Sequence, residues 1–385
     1  LFEDRLMAEE TSKNKKVPSW FTIVLISIIL LIFSYNLLSR YHSALPEKTL
    51  ENKSFILKIT STFENCSPQK KVWNLSKEER TIGLFMNNTW QTVYLLNSSH
   101  PISEFQIDED GNPIASLSLP KSTILYGENL TIQIFYRIVL KPRSLPEISI
   151  SHSGTLDEIP EELKKRYCQD AGPWQVKRSE IRELALEIAG SEKNVLLLIK
   201  NFILWIKQNI NYQTCDLPRY PAETLSERAG DCDDQANLFI ALCRVAGIPA
   251  YLQIGCIYLP ERDSRVTYWD GHLTVRLTRI GWHGWAMVYV PSWGWLPVDL
   301  TYAQASIYDP IGAIRNAALL RSPVAQYANI TETDYIASSR SHRKFLLSNG
   351  FKIYEHNVML EEAKKSGEAG SLLLPPIYTL VQIPR

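Results

Sequence analysis

The hydrophobic period of this chain changes twice, and the order of the changes restricts the fold more than any other feature. In "LTIQIFYRIVL" the residues Leu130, Ile132, Ile134, Tyr136, Ile138 and Leu140 alternate strictly, which puts them on one face of a strand. "DEDGN" at 108–112 supplies hairpin-turn residues. Several short strands between 54 and 151 predict a small β-sandwich of immunoglobulin-like type. After "SHSGTLDEIP" the period becomes helical through "PEELKKRYC", "RSEIRELALEIAGS" and "EKNVLLLIKNFILWIKQNI". The last of these is apolar almost all round. It therefore reads as a buried helix, and Lys200 and Lys207 argue against a membrane span. Strands return from Ala250 as "AYLQIGCIYL", "HLTVRLTRI", "GWAMVYV" and "WLPVDLTY", a meander joined by "RIGW" and "PSWGW". Helices followed by antiparallel strands make the second domain α+β, over 155–310. Residues 311–385 read as mixed helix and hairpin, with "SNGF" at 348–351 as a turn, and form an extension of no evident role.

The front of the chain carries a different signal. Trp20 to Leu38 contains no charge, and about 20 apolar residues suffice to cross a bilayer. We read 19–39 as a transmembrane anchor, 1–18 as a cytoplasmic tail behind Lys13, Lys15 and Lys16, and 40–53 as a stalk. The expected arrangement is a single-pass membrane protein held in the lipid bilayer by 19–39, with its C-terminal domains outside the cell. Glycan acceptor sequons at Asn52, Asn65, Asn74, Asn87, Asn97, Asn129 and Asn329 agree with that orientation. Six cysteines permit disulfides there, with Cys168–Cys215 as the expected bridge. Their spacing matches no zinc pattern, and the balance of 41 basic and 41 acidic residues gives no sign of a nucleic-acid partner.

One stretch resists a purely structural reading: "SERAGDCDDQANLFIALCRVAGIPAY" at 226–251. Asp231 is a favoured N-cap, Asp233 and Asp234 fill a first turn, and Gly247 and Pro249 stop the helix. Cys232 thus begins a helix whose packed stripe continues through Ala236, Phe239, Cys243 and Ala246. The helix N-terminus favours a thiolate, while the neighbouring aspartates oppose it. A cysteine so placed needs a histidine partner to act as a nucleophile. Of the seven histidines, His272 and His283 lie in the strands that follow. If the hairpin around "PSWGW" pairs odd residues with odd, His283 and Asp299 share a face. The expected catalytic set is Cys232 as nucleophile, His283 as base and acid, and Asp299 as the group that fixes the imidazole. His272 is the rival histidine, and the tryptophans 282, 285, 293 and 295 read mainly as packing.

These residues resemble the transglutaminase-like superfamily of papain-type cysteine enzymes. Gly230-Asp231-Cys232 resembles its Gly-x-Cys helix start, His283-Gly284-Trp285 its His-x-Trp strand, and "WLPVDLTY" its following aspartate. Gly284 stands where alanine is common, a departure expected to be harmless. The likeness covers roughly 165–305 and implies a papain-like core, here preceded by an anchor and a β-rich region as in membrane-attached prokaryotic or archaeal members. It also implies an oxyanion donor upstream of the nucleophile, for which Tyr212 is the first candidate and Tyr220 the second.

The expected function is acyl chemistry on peptide or side-chain amides through a thioester, with hydrolysis favoured over cross-linking and no cofactor. A non-enzymatic surface binding or scaffold protein with an idle triad is the alternative. Cation binding through the aspartates is a third reading.

Overall fold

A computed structural model of the chain describes residues 52–302, 306–363 and the backbone of 381–382. The apolar stretch expected to be an anchor, its tail and most of its stalk lie outside these residues. Among the described residues no helix is long and apolar enough to cross a membrane.

A single nine-stranded sheet organises the molecule. Its labelled strands are β1 (Lys53–Asn65), β2 (Gln91–Ser98), β3 (Asn129–Leu140), β6 (Ala250–Tyr268), β7 (Leu273–Val290), β8 (Gly294–Val298), β9 (Val324–Ile330) and β10 (Phe351–Glu361). Two short strands outside it, β4 (Asn211–Tyr212) and β5 (Ala229–Gly230), pair with each other in parallel. The order across the main sheet is β9-β6-β7-β10-β1-β3-β2, with β8 also on β7 and Val381–Gln382 on the outer edge of β2. The helices are α1 (Glu161–Tyr167), α2 (Ser179–Ala189), α3 (Val195–Asn209), α4 (Pro221–Glu227), α5 (Cys232–Val245) and α6 (Tyr335–Asn349).

The N-terminal strands do not stand apart as a sandwich domain. β10 lies between β7 and β1, parallel to the first and antiparallel to the second, so β1, β3 and β2 continue the same sheet as β6 and β7. The smaller sheet of Thr81–Gly83, Ile102–Ile107 and Pro113–Leu117 shares a core with them through Leu84, Ala115 and Leu117. The pattern of β3 is as expected, with alternate residues from Ile132 to Leu140 buried, and 108–112 closes the Ile107–Pro113 hairpin. What sequence periodicity cannot reveal is which strand covers a distant edge. The covering strand comes from the C-terminal segment. "SNGF" is not a hairpin but the turn from α6 into β10, with Gly350 in the left-handed region at φ +72.

The second half forms longer strands than expected. "HLTVRLTRI" and "GWAMVYV" are one strand, β7, because "RIGW" passes through a bulged stretch with Arg279 at positive φ instead of turning. "PSWGW" does turn, and β7 pairs with β8 from Val290–Gly294 to Ala286–Val298. α3 is buried at seven positions, from Val195 to Ile206, and α5 is buried continuously from Asp234 to Arg244. Both pack on Ala286, Val288, Val290, Leu296 and Val298, at about 1.5–3 kcal/mol for each large apolar side chain removed from water.

Two expectations about the cysteines and sequons are corrected. All six cysteines are free thiols. Cys168 lies near Arg244 while Cys215 lies near Asp234, so the expected bridge would join different places. Asn65 is 0% exposed and donates to Lys71 O (2.8 Å) and Ile124 O (2.7 Å). Asn329 sits in β9 opposite Gln253, and Thr331 of its sequon is held by Asp110. Neither sequon is presented for a glycan in the folded chain.

Asp110 ties the β region to the segment that enters α6. Its Oδ1 accepts from Thr331 N (2.8 Å), Thr331 Oγ1 (2.9 Å), Glu332 N (2.7 Å) and Thr333 N (3.3 Å).

Candidate active site

The short β4–β5 pairing builds the floor of the site, with Asn211 N–H donating to Arg228 O (2.9 Å) and Gln213 N–H to Gly230 O (3.1 Å). Gly230 must be glycine, since a Cβ there would lie 2.6 Å from Asp234 Cβ. Asp231 then caps α5 as expected. Asp234 reaches back to Asp231 N–H (3.3 Å) with one oxygen and takes Arg219 N–H (2.6 Å) with the other. This reciprocal cap fixes Cys232 as the first residue of the helix.

The tip of α5 meets β7 at a break in the sheet. Beyond the Ala286–Val298 pair β8 parts from β7, and Asp299 N–H bonds to Ala313 O at 3.0 Å. The partly exposed Cys232 thiol faces the N–H groups of Gly284 and Asp233. Gly284 permits this approach: a Cβ there would stand 3.2 Å from Asp233 Cβ, so the glycine is a fitted contact.

Burial, followed by the charges of Asp233 and Asp231, pushes the Cys232 thiol well up, against the pull of the two N–H groups. The same crowding raises the carboxyls. Asp231 is pushed up to about 9 by burial and by Asp233, and Asp234 to about 6 by the same two causes. The crowded tip thus disfavours negative charge on the thiol and on its neighbouring carboxyls alike.

His283 and Asp299 lie on one face, as odd-with-odd pairing requires, and Nε2 of His283 donates to Asp299 Oδ2 at 3.0 Å. The pair is 7% and 1% exposed. Asp299 Oδ2 also accepts from Ala318 N (3.0 Å), and Oδ1 from Thr301 N (3.3 Å) and Tyr302 N (3.0 Å). Burial alone would raise this carboxyl, but His283 and the N–H groups hold it below the usual range. An ionised Asp299 can only accept, so Nε2 carries the proton and Nδ1 is left as the basic nitrogen. Among the described residues no hydrogen bond joins Sγ to the imidazole. The thiol donates instead to Asp233 Oδ1, at 3.9 Å.

The other candidates separate clearly. Tyr212 is 62% exposed, and its phenol is raised by burial of part of the ring and then by Cys232, which makes the two residues neighbours. Tyr220 is engaged elsewhere, donating to Asp334 Oδ2 at 2.8 Å beneath the Arg340 guanidinium, and is set aside as an oxyanion donor. His272 donates from Nδ1 to Phe351 O (2.6 Å) and fastens β10. Trp285 is buried against Gly255, and Trp293 packs against the main core. The only group of three His, Cys, Asp or Glu donors close enough to share a cation among the described residues is Asp231, Cys232 and Asp233, with donor atoms within 4.8 Å.

Two site neighbours are not foreseen from the sequence. Asn237, at 0% exposure, donates from Nδ2 to Tyr335 Oη (2.6 Å), which donates to Asp233 Oδ2 (2.7 Å). An asparagine on the buried face of α5 is the one available hint. Tyr335 lies a hundred residues downstream with no local signature.

Residues 182–300 match the transglutaminase-like superfamily. No curated protein matches the sequence. Among solved structures the chain is similar to a candidate cysteine protease from Cytophaga hutchinsonii, at 16% identity and TM-score 0.44 over 81% of this chain and 90% of that one. It is also similar to the periplasmic domain of TgpA from Pseudomonas aeruginosa bound to ethylmercury, at 17% identity and TM-score 0.32 over 69% and 93%. Similarity extends to red sea bream transglutaminase, at 9% identity and TM-score 0.26 over 65% and 48%. The segment that contains Cys232, His283 and Asp299 is thus a transglutaminase-like superfamily core.

Proposed function

We propose that this chain is a membrane-anchored, outward-facing cysteine enzyme that cleaves peptide or side-chain amides through Cys232, His283 and Asp299. The observation that carries the reading is the buried contact of Asp299 with His283 of β7, the strand whose next N–H, that of Gly284, faces the Cys232 thiol. With the thiol raised, proton transfer to His283 Nδ1 accompanies attack on the carbonyl carbon instead of preceding it. The free N–H of Cys232 at the helix start and the Tyr212 hydroxyl are the groups available to the developing oxyanion. The C–N bond then breaks, His283 returns its proton to the departing amine, and a thioester remains. Water adds to the thioester with His283 as base, the acid product leaves, and the thiol recovers its proton. Hydrolysis is preferred to transfer because the acidic tip is partly open to water. The uncharged stretch Trp20–Leu38 supports the anchor.

The test is release of amine from a set of amidated and peptide substrates by the protein, with Cys232→Ala as control. Turnover that disappears in the control supports the reading, and equal rates in both refute it. One observation favours a binding protein with an idle triad: the absence of a Sγ–imidazole hydrogen bond among the described residues. That reading predicts no turnover of any amide.

A further inference from the structure

The proposed amide chemistry uses neither Tyr335 nor Asn237, yet both converge on the nucleophile from its far side. Asn237 lies on α5 itself, and its amide donates into Tyr335 Oη (2.6 Å). With that lone pair filled, the phenol proton points at Asp233 Oδ2 (2.7 Å). The other oxygen of the same carboxylate, Oδ1, accepts the thiol of Cys232 (3.9 Å). The direction of the hydrogens is set at the other end, because the Asp233 carboxylate can only accept the phenol proton, which leaves the hydroxyl oxygen to take an N–H of Asn237.

Tyr335 is also held from behind. Asp334 caps α6 by accepting Ala337 N–H (2.9 Å) and takes the Tyr220 hydroxyl (2.8 Å), while Asp110 grips the three preceding residues. A tyrosine at the first position of a helix anchored on both sides cannot follow a wandering carboxylate. It imposes its position on the carboxylate.

Resting on the reading of Cys232 as nucleophile, we infer that Tyr335 is a positioning residue. It pins Asp233 with one oxygen against the thiol, so the proton stays on sulfur until a bound substrate displaces that oxygen. The groups facing the thiol are Asp231 and Asp233 on α5, Tyr212 on β4, and the Gly284 N–H on β7 beside His283; Arg262 of β6 faces Tyr212. Removing the phenol hydroxyl takes away the donor that holds Asp233 Oδ2, so the carboxylate is free to turn its Oδ1 away from the thiol. That turn withdraws negative charge from the sulfur and makes its ionisation easier.

The experiment is alkylation of Cys232 by iodoacetamide across pH 6–10, with site assignment by mass spectrometry, for the wild type, Tyr335→Phe and Asp233→Asn. The expected result is a midpoint about one pH unit lower in Tyr335→Phe, hence a roughly tenfold faster reaction at neutral pH, with the plateau rate unchanged. Asp233→Asn keeps the shape of the side chain and moves the midpoint in the same direction. It serves as the deciding variant if Tyr335→Phe fails to fold. A merely structural role would change the rate by the same factor at every pH, and that result overturns the inference. An unmoved midpoint in both variants overturns it as well while leaving Cys232 reactive. A wild-type Cys232 inert at every pH overturns this inference and the proposed nucleophile together.

Discussion

Asp299 carries the strictest requirement at the level of single residues. Both of its oxygens are engaged, by His283 and by the N–H groups of Ala318, Thr301 and Tyr302. Asp299→Asn keeps the size but aims an N–H at donors, and leaving such a group unsatisfied costs about 1–3 kcal/mol. We expect amide turnover to fall by roughly 10²–10⁴ in kcat, with KM little changed, as steady-state kinetics would show. The pH dependence follows from the sign of the shift. Because the folded carboxyl lies below its unfolded value of about 3.9, its stabilisation is complete above that pH and is lost as pH falls through the folded value. The gap in urea melts between wild type and Asp299→Ala should therefore be smaller at pH 3 than at pH 7. A constant gap would contradict this. The helix start at Cys232 and the meeting of His283 with Asp299 were legible because a helix cap and a hairpin parity are local patterns. Tyr335 was not, because its partner is a hundred residues away and a tyrosine before a polar helix carries no periodic signal.

At the level of elements, the β4–β5 pair and the cap of α5 form one unit whose tolerance is set by Gly230. A methyl group at this position would sit 2.6 Å from Asp234 Cβ and 3.2 Å from Thr224 Cγ2. Gly230→Ala should cost about 1–3 kcal/mol and slow alkylation of Cys232, because overpacking shifts the helix start. Chemical denaturation and labelling test this together, and an unchanged melt with unchanged labelling would refute it. α1, α2 and α5 were read to within a residue or two because their ends are written locally, as with Asp231 and Gly247 around α5, whereas α4 and α6 were not read. The strands were read too short. A bulge such as that near Arg279 keeps a ladder running through residues that by composition resemble a turn.

The whole molecule depends on contacts between segments far apart in the chain. β10, from the C-terminal region, joins β1 to β7, and Asp110 of the N-terminal region holds residues 331–333. The domain boundaries expected near 151 and 311 therefore cut through shared structure, and no pattern within one segment can announce a strand pairing with another. A fragment of residues 155–310 should show no cooperative thermal transition, whereas residues 52–363 should show one. Asp110→Ala should lower the melting temperature of the intact protein, because four donors lose one buried acceptor. If the chain is produced in a glycosylating secretory host, peptide mass spectrometry should find Asn65 and Asn329 unmodified, since both are engaged inside the fold.

The central claim is that Cys232 is a nucleophile served by His283. It is tested most directly by iodoacetamide labelling of residues 52–385 across pH 5–9, with mass-spectrometric site assignment and a His283→Ala control. The account predicts that Cys232 is labelled and that His283→Ala slows its labelling, because the imidazole takes the thiol proton as the sulfur attacks. A Cys232 labelled at the same rate with and without His283 would contradict it.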